Sequence, residues 1–180
     1  YMSASVLVAY ATRYGSTQEV AEAVATTLRE RGLEVDTQPI RKVQTLEGYR
    51  AVVVGAAFYY GGWHKNASRF LLEQRDALAE RPVAVFALGP IGGPRDENEW
   101  QDARAQLDKE LAKFPWLAPV AVEMFGGKYD PKKLGFPDRL IASLPASPLK
   151  QTPPSDLRDW AAVRAWASNL AAKLQPASQQ

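Results

Sequence analysis

The chain contains no cysteine and a single histidine, His64, in its 180 residues. The first absence excludes disulfides, thiol nucleophiles, zinc ribbons and thiolate-held iron–sulfur clusters. The second excludes a histidine-rich metal centre. A chain without cysteine also fits a cytoplasmic protein. An excess of either sign of charge is missing as well, with 22 basic against 20 acidic residues. The formal net charge of +2, with no long Lys/Arg run, argues against nucleic acid as a partner. Long hydrophobic runs are missing. The longest uncharged apolar stretch, Ala51–Trp63, is broken by three glycines and is too short to span a bilayer. The first residues do not read as a secretory leader, and neither a repeat nor a low-complexity block occurs.

What remains is a globular balance, 46% hydrophobic and 23% charged, over a length that suits one domain across residues 1–180 with a sizeable core. Five short apolar runs stand out: Val6–Tyr10, Leu33–Asp36, Ala51–Gly55, Val83–Leu88 and Val120–Phe125. Their near-continuous Val, Leu and Ala content predicts parallel strands buried on both faces. Between them, helical spacing covers Ser16–Arg31, Asn66–Glu80, Glu97–Phe114 and Asp156–Leu174. Ser16 and Glu19 have capping-box spacing, and Gly32 reads as a stop. Arg41–Arg50 fits either a short helix or an irregular crossover. The alternation predicts an α/β fold, a doubly wound parallel sheet with helices on both faces. Residues 126–154, rich in proline and with at most a helical turn or two at Asp138–Leu144, read as an excursion before the last helix.

In such folds ligands bind at the carboxyl ends of the strands. The turn after the first strand, Thr12-Arg13-Tyr14-Gly15-Ser16-Thr17, lies there. It has neither GxxxxGK[ST] nor GxGxxG, but it offers hydroxyls, backbone N–H groups and a helix N-terminus, donors suited to a terminal phosphate. The plain alternative is that Ser16 and Thr17 only cap the helix. The third strand is followed by Ala57, Phe58, Tyr59, Tyr60, Gly61, Gly62, Trp63 and His64. The fourth is followed by Gly89, Pro90, Ile91, Gly92 and Gly93. Aromatic rings and glycine peptides on one edge suit a flat aromatic ligand, although such rings also serve as loop cores.

This constellation resembles the flavodoxin-like FMN-binding domains, whose phosphate turn reads [ST]-x-T-G-x-T. Thr12, Gly15 and Thr17 match, and Tyr14 stands where the middle threonine would be. The branch that includes menaquinone-dependent protoporphyrinogen dehydrogenase is similar at "TRYGST", "GAAFYYGGWH", "GGKYDPKKLGFPDRLI" and "DLRDWAAVRAWA". The resemblance implies a five-stranded sheet of order 2-1-3-4-5 and bound FMN. The phosphate would sit on the turn at 12–17, with Arg13 adding charge or facing solvent. The isoalloxazine would lie between the loops at 57–64 and 89–93. Tyr60 or Trp63 would cover one ring face, Ile91 with the Gly92-Gly93 peptides would border the other, and the Gly61-Gly62 peptide would lie near flavin N5. His64 reads as a proton donor or as a residue at the start of a helix. Trp100, Trp160 and Trp166 read as core.

Two function classes follow. One is an electron carrier docking on a redox partner protein. The other is an oxidoreductase with a quinone-like acceptor, of the protoporphyrinogen dehydrogenase type. An interaction module without FMN is a third. Lys65 and Arg95 precede the first acid, Asp96, in the presumed flavin loops, which counts against a carrier with an acidic docking rim. Pro145 and Pro148 interrupt the segment after "FPDRLI" and argue against membrane docking through it.

Overall fold

The computed structural model describes residues 5–12, 15–59, 62–89, 97–126, 128–129, 155–156 and 158–174. In chain order, β1 (Ser5–Ala11), α1 (Ser16–Glu30), β2 (Glu34–Pro39), β3 (Ala51–Tyr59) and β4 (Gly62–Trp63) come first. They are followed by α2 (Lys65–Glu73), α3 (Arg75–Ala79), β5 (Val83–Leu88) and α4 (Glu97–Ala112). β6 (Ala121–Phe125), β7 (Lys128–Tyr129), β8 (Ser155–Asp156) and α5 (Trp160–Leu174) complete the set. The main sheet runs β2-β1-β3-β5-β6, all parallel, with β4 hydrogen-bonded antiparallel to β3. Counting the parallel strands alone, this is the 2-1-3-4-5 order of a doubly wound fold. The direction of winding reverses between β1 and β3, so their carboxyl ends form the crevice.

Alternate residues of each strand enter different cores. Val6, Val8, Val53 and Phe86 face α1 and α5, together with Val20, Val24, Leu28, Val163 and Leu170. Leu7, Ala9, Val52 and Val54 face the opposite layer, with Phe70, Leu71, Leu78 and Phe114. A smaller cluster joins Ala87, Leu107 and Met124, with Trp100 packed against it. Trp160 and Trp166 pack against the first core. Gly55 has a steric reason. It pairs with Phe86 across the ladder, and a Cβ there would lie 2.0 Å from Phe86 Cζ. The phenyl ring occupies that space and meets Phe125 and Trp166 edge-on or tilted, with centroids 6.1 Å from each.

Several boundaries differ from the expected ones. α1 closes as read. Gly32, at φ 92°, lets its own N–H reach the Arg29 carbonyl and the Leu33 N–H reach that of Leu28, a Schellman close. Its start differs. Gly15 is the N-cap and no side chain caps it, so the expected capping box with Ser16 does not form. The span 66–80 is two helices broken at Gln74. The span 156–174 opens as a two-residue strand, and the helix begins only at Trp160, where Asp159 Oδ1 accepts from the Ala162 N–H at 3.0 Å. Residues 41–50 carry only the end of a 3-10 turn, Ile40–Lys42, and pin themselves by the buried Leu46. β7 and β8 pair antiparallel, Lys128 with Asp156 and Tyr129 with Ser155. Most of the excursion, including 138–144, lies outside the described residues.

The Tyr49 hydroxyl donates to Asp36 Oδ2 at 2.7 Å and ties this crossover to edge strand β2. Burial first, then the hydrogen bond to the Asp36 carboxylate and its charge, push the Tyr49 phenol above the ordinary tyrosine range. A raised pKa contributes stability that is complete below the unfolded value and fades as pH rises through the folded one. Urea midpoints should therefore fall above pH 10, and Tyr49→Phe should make that fall shallower; an unchanged slope would remove Tyr49 from the account. Gly55→Ala should destabilise by about 1–3 kcal/mol or more in urea denaturation. Adding Phe86→Leu should recover part of the loss, as expected for two side chains competing for one space.

Candidate functional site

β1 delivers the chain to its carboxyl edge at Thr12, and α1 starts four residues later. Gly15 takes φ 92°, a left-handed conformation that disfavours any side chain. Its N–H donates to Thr12 Oγ1 at 2.9 Å, so the two described ends of the turn are latched together. The first intrahelical bond from this start is Glu19 N–H to the Gly15 carbonyl at 3.2 Å. The N–H groups of Ser16, Thr17 and Gln18 precede it and have no intrahelical acceptor. Thr17 is fully buried, and its Oγ1 has no hydrogen-bond partner among the described residues. Helix donors, a left-handed glycine and an orphaned buried hydroxyl thus converge on one turn. Arg13 and Tyr14, read as part of it, lie outside the described residues.

The expected loop at 57–64 is instead a hairpin. Ala57, Phe58 and Tyr59 continue β3, and the chain returns with Phe58 opposite Trp63 and Tyr59 opposite Gly62. Strand-favouring aromatics on both arms explain the extension. The His64 N–H closes the hairpin on the Ala57 carbonyl at 3.2 Å. Trp63 does not stand as a ring-stacking residue. It is 5% exposed, packs in the core, and its indole N–H donates to the Ala56 carbonyl at 3.2 Å. Tyr60 and Gly61 lie outside the described residues. His64 is the N-cap of α2, where its Nδ1 accepts the Asn66 N–H at 3.1 Å. At the end of β5, the Gly89 N–H donates to the Phe125 carbonyl at 2.7 Å, and a Cβ on Gly89 would lie 2.8 Å from Met124 Sδ. That glycine answers to packing under the crevice. Pro90, Ile91, Gly92 and Gly93 lie outside the described residues.

One residue was missed from sequence. Arg158 reaches back across 142 positions to the first turn of α1, where its Nη1 donates to the Ser16 carbonyl at 3.4 Å. The same nitrogen lies 3.4 Å from Glu19 Oε1, and the guanidinium sits 4.7 Å from the centre of the Trp160 ring. The side chain is 3% exposed. The only sequence clue was an arginine immediately before a helix-capping Asp159.

With this geometry in place, comparison with known proteins identifies the architecture. The family model described as a flavodoxin domain matches residues 7–155. The chain belongs to the flavodoxin-domain family. It is similar to the protoporphyrinogen IX dehydrogenase [quinone] of Escherichia coli K12, 22% identical over 71% of this chain and 83% of that one. It is similar to the Leishmania major protein of the same name, 26% identical over 94% of this chain and 76% of that one. Among solved structures, a variant flavodoxin from Pseudomonas aeruginosa shares the fold. Its TM-score is 0.57 at 19% identity, covering 96% of this chain and 99% of the other.

The flavodoxin-domain crevice has a polar annex on the β2 side of the turn. A cavity of about 80 Å³ there is bordered by Thr12, Gln18, Ile40, Arg41 and Asn66. Tyr10 lines it too. Burial first, then Glu22, raises its phenol pKa, and Arg41 works the other way. Among the described residues no cluster of His, Asp or Glu is placed to hold a metal ion, and no helix is long and apolar enough to cross a membrane.

The His64 cap makes a checkable statement. His64→Ala should cost about 1 kcal/mol in urea denaturation, and His64→Asn should restore most of it, since asparagine caps well. Equal stability of all three proteins at neutral pH would show that the cap contributes nothing.

Proposed function

We propose that this flavodoxin-domain protein binds FMN, with the phosphate on the first turn of α1, and acts as a flavin-dependent redox protein. The carrying observation is the Thr17 hydroxyl, fully buried and without a partner among the described residues. Leaving such a group unsatisfied costs about 1–3 kcal/mol. A ligand oxygen at this turn supplies the missing acceptor. Thr12 Oγ1 accepts from Gly15 N–H but keeps its own proton to donate. The N–H groups of residues 16–18 and the positive end of the helix add to the attraction for a phosphate.

When bound, flavin supplies the electron transfer. The chain supplies position. The segments 57–64 and 89–93 flank the ring on this reading, with Trp63 and Gly89 packing beneath rather than stacking on it. His64 Nδ1 is engaged as an acceptor, so that nitrogen fixes the start of α2 and is not a proton source.

The electron acceptor is a quinone-like molecule or a redox partner protein. Likeness to two protoporphyrinogen IX dehydrogenases over most of this chain favours a quinone-linked dehydrogenase as the second reading. The exposed Lys65 beside the hairpin is also unlike an acidic docking rim.

Titration of the apo protein with FMN, riboflavin and FAD, followed by flavin fluorescence, tests the reading. FMN should bind about tenfold or more tighter than riboflavin, the worth of one charge-assisted hydrogen bond. Equal affinity would overturn the phosphate assignment. Thr17→Val should leave the apo protein as stable as wild type or more so, because it removes the orphaned hydroxyl, while weakening FMN by about tenfold. Unchanged FMN affinity in that variant would make Thr17 a core residue and nothing more.

A further inference from the structure

The polar annex has a chemistry that the flavin reading leaves unused. Thr12 borders both the annex and the turn at 12–17, so the two spaces adjoin. Pro39 and Ile40, where β2 ends and the 3-10 turn begins, give the annex an apolar side. The rest of its wall carries hydrogen-bond donors from four separate elements: Tyr10 on β1, Gln18 on α1, Arg41 on the 3-10 turn and Asn66 on α2. Among the described residues Arg41 is the one charged group on that wall, and it is a cation. It is exposed and forms no hydrogen bond or ion pair with a described residue.

The neutral donors have capacity to spare. Gln18 Nε2 gives one N–H to Glu22 Oε1 at 3.3 Å and has a second. Asn66 spends its backbone N–H on His64 Nδ1, and its side-chain amide takes no part in that cap. Burial raises the Tyr10 pKa, so the phenol keeps its proton at neutral pH. The nearby carboxylate of Glu22 is exposed and bonded to Gln18, and it does not form the wall. A cavity with a cation, neutral donors and no acid on its wall does not suit a metal ion, which asks for oxygen ligands of negative charge. It suits an anion. Donors that arrive from four elements match a tetrahedral oxyanion, whose acceptor oxygens point to all sides, better than a flat carboxylate. Arginine is well fitted to such a group. A volume of about 80 Å³ has room for one in place of a few waters.

We infer that the annex is a second phosphate subsite, beside the turn at 12–17 and distinct from it, with Arg41 as its charged contact and the side chains of Gln18 and Asn66 as its neutral donors. The occupant is a phosphate group, either free or the second phosphate of a flavin dinucleotide whose first lies on the turn. The site needs only the annex walls, so it stands apart from the FMN reading above.

The test is a melting-temperature titration with inorganic phosphate, exchanged against chloride at constant ionic strength. Phosphate should raise the melting temperature of the wild-type protein, both without flavin and with FMN bound. Arg41→Gln and Asn66→Leu should each raise the phosphate concentration needed for half the effect by about tenfold. Lys42→Gln removes the same charge from an exposed neighbour outside the cavity and should leave that concentration where it is. Titration with FAD and FMN separates the two sources. If a dinucleotide supplies the phosphate, wild type binds FAD at least as tightly as FMN, and Arg41→Gln lowers the FAD-to-FMN affinity ratio about tenfold. If free phosphate is the occupant, FMN binds more tightly than FAD, and phosphate still stabilises the FMN-bound protein. A phosphate effect that FMN abolishes, that Arg41→Gln leaves unchanged, or that Lys42→Gln weakens equally would overturn the inference. Arg41 is exposed, so Arg41→Gln decides if Asn66→Leu does not fold. A protein without preference for FMN over riboflavin, yet with phosphate binding that depends on Arg41, would sink the FMN reading and leave this one standing.

Discussion

The handover from β1 to α1 is the constraint from which the site follows. β1 is buried from Val6 to Ala11, and α1 buries Thr17, Val20, Ala21 and Val24 against the same sheet. The chain must leave one buried element and enter the other between Thr12 and Ser16. Only a residue that tolerates φ 92° completes that step, and Gly15 does so with its N–H tied to Thr12. The cost of so abrupt a start is a helix whose first donors have no capping side chain. A cluster of unspent donors at the carboxyl edge of the sheet results directly from packing demands on either side of it.

The rest of the crevice is braced in the same manner. Phe86 fills the space that Gly55 vacates, and Phe125 and Trp166 close around it, so the ends of β3, β5 and β6 are set against α5 by ring contacts. Gly89 allows Met124 to approach the backbone just where β5 leaves the sheet. Glycines that look like ligand contacts in a sequence can instead mark where a neighbour's side chain has been let in. Preorganisation of this kind holds a crevice open without dedicating residues on its surface to the task.

The parallel strands were legible because burial on both faces writes itself as unbroken Val, Leu and Ala. Val83–Leu88 is read to the residue, and the 2-1-3-4-5 order follows the resemblance. The turn at 12–17 was legible through Gly15 and Thr17. Less was visible where tertiary contacts override local pattern. The apolar spacing through Gln74 continues although the helix does not. Trp63 reads as an exposed loop aromatic until the hairpin turns its indole toward the Ala56 carbonyl. Ser16 and Glu19 have the spacing of a capping box, but Gly15 takes the cap position. The Arg158 contact was invisible because its partner Ser16 lies 142 positions away, and no periodicity encodes that.

The β7–β8 pairing carries a consequence of its own. Tyr129 and Ser155 face each other across a two-stranded ladder, with Cα atoms about 5 Å apart. The chain between them therefore departs and returns at one doorway. Because loop-closure entropy grows only slowly with length, residues 130–154 can be lengthened, shortened or exchanged between lineages with little strain on the flavodoxin core. Ser155 lies three residues before Arg158, which touches the Ser16 carbonyl, so whatever is grafted at that doorway is tethered close in sequence to a contact with the head of α1.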